Sequence, residues 1–158
     1  MIRFSRRALP YIRGGRMATV ELRFTPLPEH VRTARLVGAA MARRAGVADA
    51  ALDEVRLAVG EACTRAVGLH QLHEVAEPVQ VRLIEDEKQF SIEVVDEAPH
   101  AVPADIEAGT AGLPVTEDPE GEDEMGLAVI SGLVDDVQVK TGESGGLIRM
   151  SWPTATLA

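Results

Sequence analysis

Two alternating runs with a short polar turn between them set the strongest limit on the fold. Val79–Glu85 reads VQVRLIE, the next three residues read DEK, and Phe90–Asp96 reads FSIEVVD. In an alternating run, successive side chains point to opposite faces of a sheet, so one row can be buried and the other solvated. A turn this short between two such runs makes an antiparallel hairpin. A sheet that is apolar on one face only must be covered on that face, and the rest of the chain has to supply the cover.

It does so with helical patterns. Val31–Ala45 is alanine-rich, with Val31, Ala34, Val37 or Gly38, and Met41 at core spacing, and Gly46 is a stop signal. A second helix is expected near Ala50–Leu69, capped by Asp49. Its stripe of Leu52, Val55, Val59, Ala62, Cys63 and Ala66 advances in steps of three and four. Asp53, Glu61, Thr64 and Arg65 fall off that stripe. Helical spacing returns in EMGLAVISGLV, with Met125, Ala128, Val129 and Leu133. Strands flank these helices: TVELRF alternates from Thr19 to Phe24, and DVQVKTGESGGLIRMSW forms a last hairpin with its turn at Gly145 and Gly146. The order β-α-α-β-β-loop-α-β-β predicts an α/β (α+β) two-layer sandwich, a mostly antiparallel sheet with helices on one face.

The 158 residues suggest one domain, and 46% hydrophobic residues suffice for a core. Aromatics are only 3%, so the core must be built from Ala, Val, Leu and Ile. The formal charge of −9 is uneven: residues 1–16 hold five arginines and no acid. This head reads as a disordered tail or an upstream extension with Met17 as the start, and the domain as 17–155. Without the head, 11 basic residues face 25 acidic ones, a net of −14. Such a surface repels nucleic-acid phosphates and suits a protein partner with a basic face. No apolar run reaches the ~18 residues of a membrane span, the head lacks the apolar segment of a secretion signal, and the single Cys63 excludes an internal disulfide. A cytoplasmic protein is expected, with Cys63 a small core residue.

Four places deserve a chemical reading. Asp96 ends an apolar strand beside the long loop 97–124, rich in Pro, Gly and acid; it reads as a turn former or as an acceptor at the edge of a ligand pocket. Glu61 and Arg65 lie one helical turn apart, the spacing of a surface pair worth roughly 0.2–0.5 kcal/mol. Gly126 precedes a helical run, where free N–H groups can meet a phosphate, though cradles normally use several glycines. His70 and His73 could share a metal, but no second cluster completes a site. Both read as helix-end histidines, where a cation is favoured, while His30 and His100 stand alone in polar loops.

The order of these motifs resembles a known family. DEVRLAVGEACTRAV is similar to the first ATP-binding box of the anti-sigma factor serine kinases, small members of the histidine-kinase-like ATPase superfamily (the Bergerat fold). VVDEAPHAV falls at the family's Asp-x-Gly box and EMGLAVISGLVDDV at its Gly-x-Gly-Leu box, so the resemblance runs from about Val20 to Trp152. It implies ATP held between helices under a lid, here the loop 97–124. It implies that Glu61 is the general base toward the serine of an antagonist protein, that Asp96 accepts a hydrogen bond from the adenine amine, and that Gly126 and Leu127 lie at the phosphates. The partners implied are a sigma factor and an anti-anti-sigma antagonist, with a homodimer as a further implication.

Four positions depart from the pattern. Arg65 stands where the family's Asn coordinates Mg²⁺, Ala98 replaces a Gly, His100 replaces a small residue, and Glu124 replaces the first Gly of the last box. Mg²⁺ demands oxygen ligands, and a guanidinium has five donors and no acceptor. Arg65 could instead contact phosphate directly or pair with Glu61. The expectation is a regulatory binding protein with weakened or lost Mg-ATP binding and kinase activity. The alternative is an active serine kinase acting on the antagonist.

Overall fold

The computed structural model describes residues 1–8, 18–100 and 121–154. Among the described residues, six strands form one fully antiparallel sheet: β1 (Ile2–Ala8), β2 (Ala18–Phe24), β3 (Val79–Glu85), β4 (Gln89–Asp96), β5 (Asp136–Gly142) and β6 (Gly145–Pro153). Their spatial order is β1-β2-β3-β4-β6-β5. Among the described residues, three α-helices complete the fold: α1 (Val31–Ala45), α2 (Leu52–Leu72) and α3 (Gly121–Leu133). This is the two-layer α+β sandwich that the alternation demanded.

The register shows why the pattern works. Leu22 pairs with Val81, Val81 with Val94, and Val94 with Ile148. All four are buried, so they form one continuous apolar row under the helices. On the other face the next row runs Glu21, Arg82, Glu93, Arg149. Signs alternate across the strands, which stabilises each cross-strand pair modestly; Arg82 and Glu93 approach to 3.7 Å. An alternating charge row suits a solvated face, so the helices gather on the other.

Helix α2 sits in the middle of the helical layer, touching α1, α3 and β4. The predicted stripe from Leu52 to Ala66 is buried throughout, and Ala58, Arg65, Val67, Leu69 and His70 are buried with it. A helix with neighbours on three sides buries more than one stripe, and that is why Arg65 is buried although it falls off the predicted one. Asp49 does not cap this helix by its side chain. It opens a short 3₁₀ turn, Asp49–Ala51, that leads into α2. Helix α1 ends as expected at Gly46, whose φ of 100° is the left-handed conformation that closes a helix C-terminus.

Two boundaries differ from the sequence reading. The basic head was set outside the domain, yet Ile2–Ala8 form edge strand β1, paired along its length with β2. Arginines obscure the alternation of Ile2 and Phe4, and charged side chains are what an exposed edge strand tends to carry. Helix α3 begins at Gly121 and not near Met125. Most of the loop 97–124, expected as a lid, lies outside the described residues, and its last four positions are helical. No helix is long and apolar enough to cross a membrane among the described residues.

Candidate functional site

The site forms where β4 ends against α2 and the β5–β6 hairpin. Asp96 is the last residue of β4 and is buried, with its side chain 2% exposed. Its Oδ1 accepts from the backbone N–H of Ala98 at 3.1 Å, the local turn expected of an Asp at a strand end. The same oxygen lies 2.8 Å from His100 Nε2. Its Oδ2 lies 3.9 Å from Arg65 Nη1, a buried ion pair between α2 and the sheet. The turn-former reading of Asp96 is thus observed, and its carboxylate is engaged from within the chain.

The β5–β6 hairpin makes room for this cluster. Gly146 pairs with Asp96 across the sheet. A Cβ at Gly146 would lie 2.6 Å from His100 Nε2 and 2.8 Å from Asp96 Oδ2. At Gly145, φ is +144° and a Cβ would lie 2.3 Å from the Asp96 carbonyl oxygen. Glycines at the predicted turn therefore serve more than the turn: they let β4 and its side chains approach.

His70 is a second correction. It is fully buried, with Nδ1 2.9 Å from the Glu77 carbonyl oxygen. Its Nε2 accepts from the Glu97 N–H at 2.9 Å. Nδ1 therefore donates and Nε2 carries no proton. The ring is a neutral clamp between the C-terminal end of α2 and the residue after Asp96, not a helix-end cation. His73 is exposed, while both ring nitrogens of His70 are taken up within the chain; among the described residues there is no group of three or more His, Cys, Asp or Glu that could hold a metal. His100 is likewise not isolated. It meets Asp96 through the turn that follows β4. His30 closes a 3₁₀ turn against Phe24, ring centroids 6.2 Å apart.

Glu61 is half-buried on α2 and faces α3: a Cβ at Gly126 would lie 4.0 Å from Glu61 Oε2. Gly126 was expected to open its helix. It is instead the sixth residue of α3, beyond the first four N–H groups that a helix leaves free for an anion. Leu127, partly buried, packs against the core. The structure thus brings Asp96, Arg65 and His100 together and sets Glu61 opposite Gly126. Burial pushes the Cys63 thiol up to about 12, consistent with a core residue.

The family model for the histidine kinase-like ATPase domain matches residues 24–152. The chain belongs to the histidine kinase-like ATPase family. A comparison with curated proteins returns no match. Membership of this ATPase family supports ATP with Mg²⁺ as the ligand to test against the residues present, and one of them is at odds with a metal. At the turn facing Asp96, α2 presents a guanidinium that offers no oxygen to a cation. The acceptor of Asp96 is engaged by His100 and Ala98, and the Gly126 N–H lies inside a helix.

Proposed function

We propose that this histidine kinase-like ATPase family member is an anti-sigma-factor-like regulatory protein. In this reading it binds a sigma factor, an anti-anti-sigma antagonist, or both, and its Mg-ATP binding and kinase activity are weakened or lost. The observation that carries the reading is the engagement of Asp96 by His100, Ala98 and Arg65. Each internal contact takes up part of the carboxylate's accepting capacity, so a ligand's donor has to compete with them for Asp96. A charge at position 65 in place of a neutral oxygen ligand also acts against a divalent cation. With the nucleotide disfavoured, what the scaffold retains is its surface, and a net charge of −9 suits a protein partner better than nucleic acid.

The alternative is an active serine kinase acting on the antagonist. Glu61, the general base by resemblance, supports it: the residue is half-buried on the face of α2 toward α3. One experiment separates the two. The tagged chain is used to recover partners from its native cells, with and without added Mg-ATP, and the antagonist is then assayed for phosphoserine. A sigma factor or antagonist recovered equally under both conditions, with no phosphoserine, is expected. Phosphoserine formed only with the wild-type Glu61 would establish the kinase instead.

A further inference from the structure

We propose that His100 is an internal plug: its imidazole takes the hydrogen-bonding place on Asp96 that an amino-substituted nitrogen heterocycle would otherwise take. The inference deepens the reading of Asp96 given above and rests on it. What it adds is a specific residue, outside the helix that carries Arg65, that closes the site.

Three observations carry it. First, His100 Nε2 lies 2.8 Å from Asp96 Oδ1, and the two side chains are 7% and 2% exposed. A buried carboxylate takes its bonds from whatever donors reach it, because an unmade bond there is costly. A flat ring with an N–H aimed at that oxygen satisfies it as an amino heterocycle would. Second, the plug is anchored by its own backbone: the His100 N–H donates to the Gly142 carbonyl at 3.1 Å. Glu97, three residues earlier, is tied to His70. The segment from Asp96 to His100 is therefore fastened to both α2 and β5, and holding the ring in place costs little further entropy. Third, the space is shaped for it. β6 has glycine at 146, where any Cβ would come within 2.6 Å of His100 Nε2 and 2.8 Å of Asp96 Oδ2. The volume that His100 and Asp96 share exists because that residue has no side chain.

His100 and Arg65 approach different oxygens of Asp96: His100 Nε2 lies 2.8 Å from Oδ1 and Arg65 Nη1 3.9 Å from Oδ2. As a cation, Arg65 also acts against a metal. His100 bears on the heterocycle, so its effect is visible with a ligand that has neither metal nor phosphate. Adenosine is such a probe.

Adenosine is titrated into the wild-type chain and into His100→Ala, following backbone amide shifts by NMR. The variant is expected to bind at least tenfold more tightly, with shifts at residues 95–98 and 145–147. Equal affinity in the two proteins overturns the plug and leaves the protein-binding reading standing. Tight Mg-ATP binding by the wild type, measured separately, overturns both. Gly146→Ala supplies a second test that needs no ligand. The clash it creates is with two side chains, so the plug should leave while the sheet persists. The His100 ring signals are expected to move to those of a solvated histidine, with β4 and β6 amides still protected from exchange. Ring signals unchanged in Gly146→Ala overturn the proposal.

Discussion

Replacing Gly145 by alanine should damage the site through the backbone alone. Gly145 holds φ at +144°, and its Cβ would sit 2.3 Å from the Asp96 carbonyl oxygen and 3.3 Å from Glu97 Cα. Neither neighbour is the tip of a flexible side chain, so the end of β4 or the hairpin has to move. Backbone strain of this kind costs ~1–3 kcal/mol, and overpacking adds ~1–3 kcal/mol. Stiffening the unfolded chain returns ~0.4–1 kcal/mol, leaving a net loss of about 3 kcal/mol. Urea denaturation can follow the fluorescence of Trp152, the only tryptophan, which is 3% exposed in the fold. At a slope of about 2 kcal/mol per molar urea, the midpoint should fall by roughly 1.5 M. Gly142→Ala is the internal control: it lies in the same hairpin, its Cβ would meet nothing closer than 3.9 Å, and no positive φ is involved. It should shift stability by no more than ~0.5 kcal/mol. A Gly145→Ala loss below ~1 kcal/mol, or one equal to that of Gly142→Ala, would refute the argument that this turn is built to admit β4.

Two further outcomes follow from the same geometry. His70→Leu removes the partner of the Glu77 carbonyl and of the Glu97 N–H; with each unmet group costing ~1–3 kcal/mol and both next to solvent, a total near 2–4 kcal/mol is expected. Hydrogen exchange at the Glu97 amide should accelerate in that variant, and an unchanged rate would contradict the clamp. Cys63 should resist iodoacetamide at pH 8 in the native chain and react fully in urea, since burial pushes its thiol up to about 12 from 9.0. The folded state then holds the proton more tightly than the unfolded state, so this contribution to stability is complete below pH 9.0 and declines as pH rises toward about 12; rapid native alkylation at pH 8 would disprove the burial.

Much of the fold was legible because two periods run cleanly along the chain. Val79–Glu85 and the α1 span Val31–Ala45 were read with the boundaries observed, since alternation and Gly46 mark them without competition. β1 was missed because three arginines in Ile2–Ala8 hide a strand whose exposed edge suits such residues. The burial of Arg65 was missed for a different reason. Helical periodicity reports one apolar stripe, whereas α2 is enclosed by α1, α3 and the sheet. At the candidate site, Asp96 and Glu61 were singled out from their motifs, but the contact of His100 with Asp96 depends on how the chain turns after β4. That turn is set by the Ala98 N–H, by Gly142 and by the absence of a side chain at Gly146. Such three-body placements leave little trace in a one-dimensional pattern.

The most direct test of whether Arg65 has displaced the metal is calorimetric titration with ATP, with and without Mg²⁺, of the wild-type chain and of Arg65→Asn. The wild type is expected to show no micromolar binding that depends on Mg²⁺, and Arg65→Asn to gain binding that does. Micromolar, Mg²⁺-dependent binding by the wild type, with phosphate transferred to a serine of the antagonist, would contradict it.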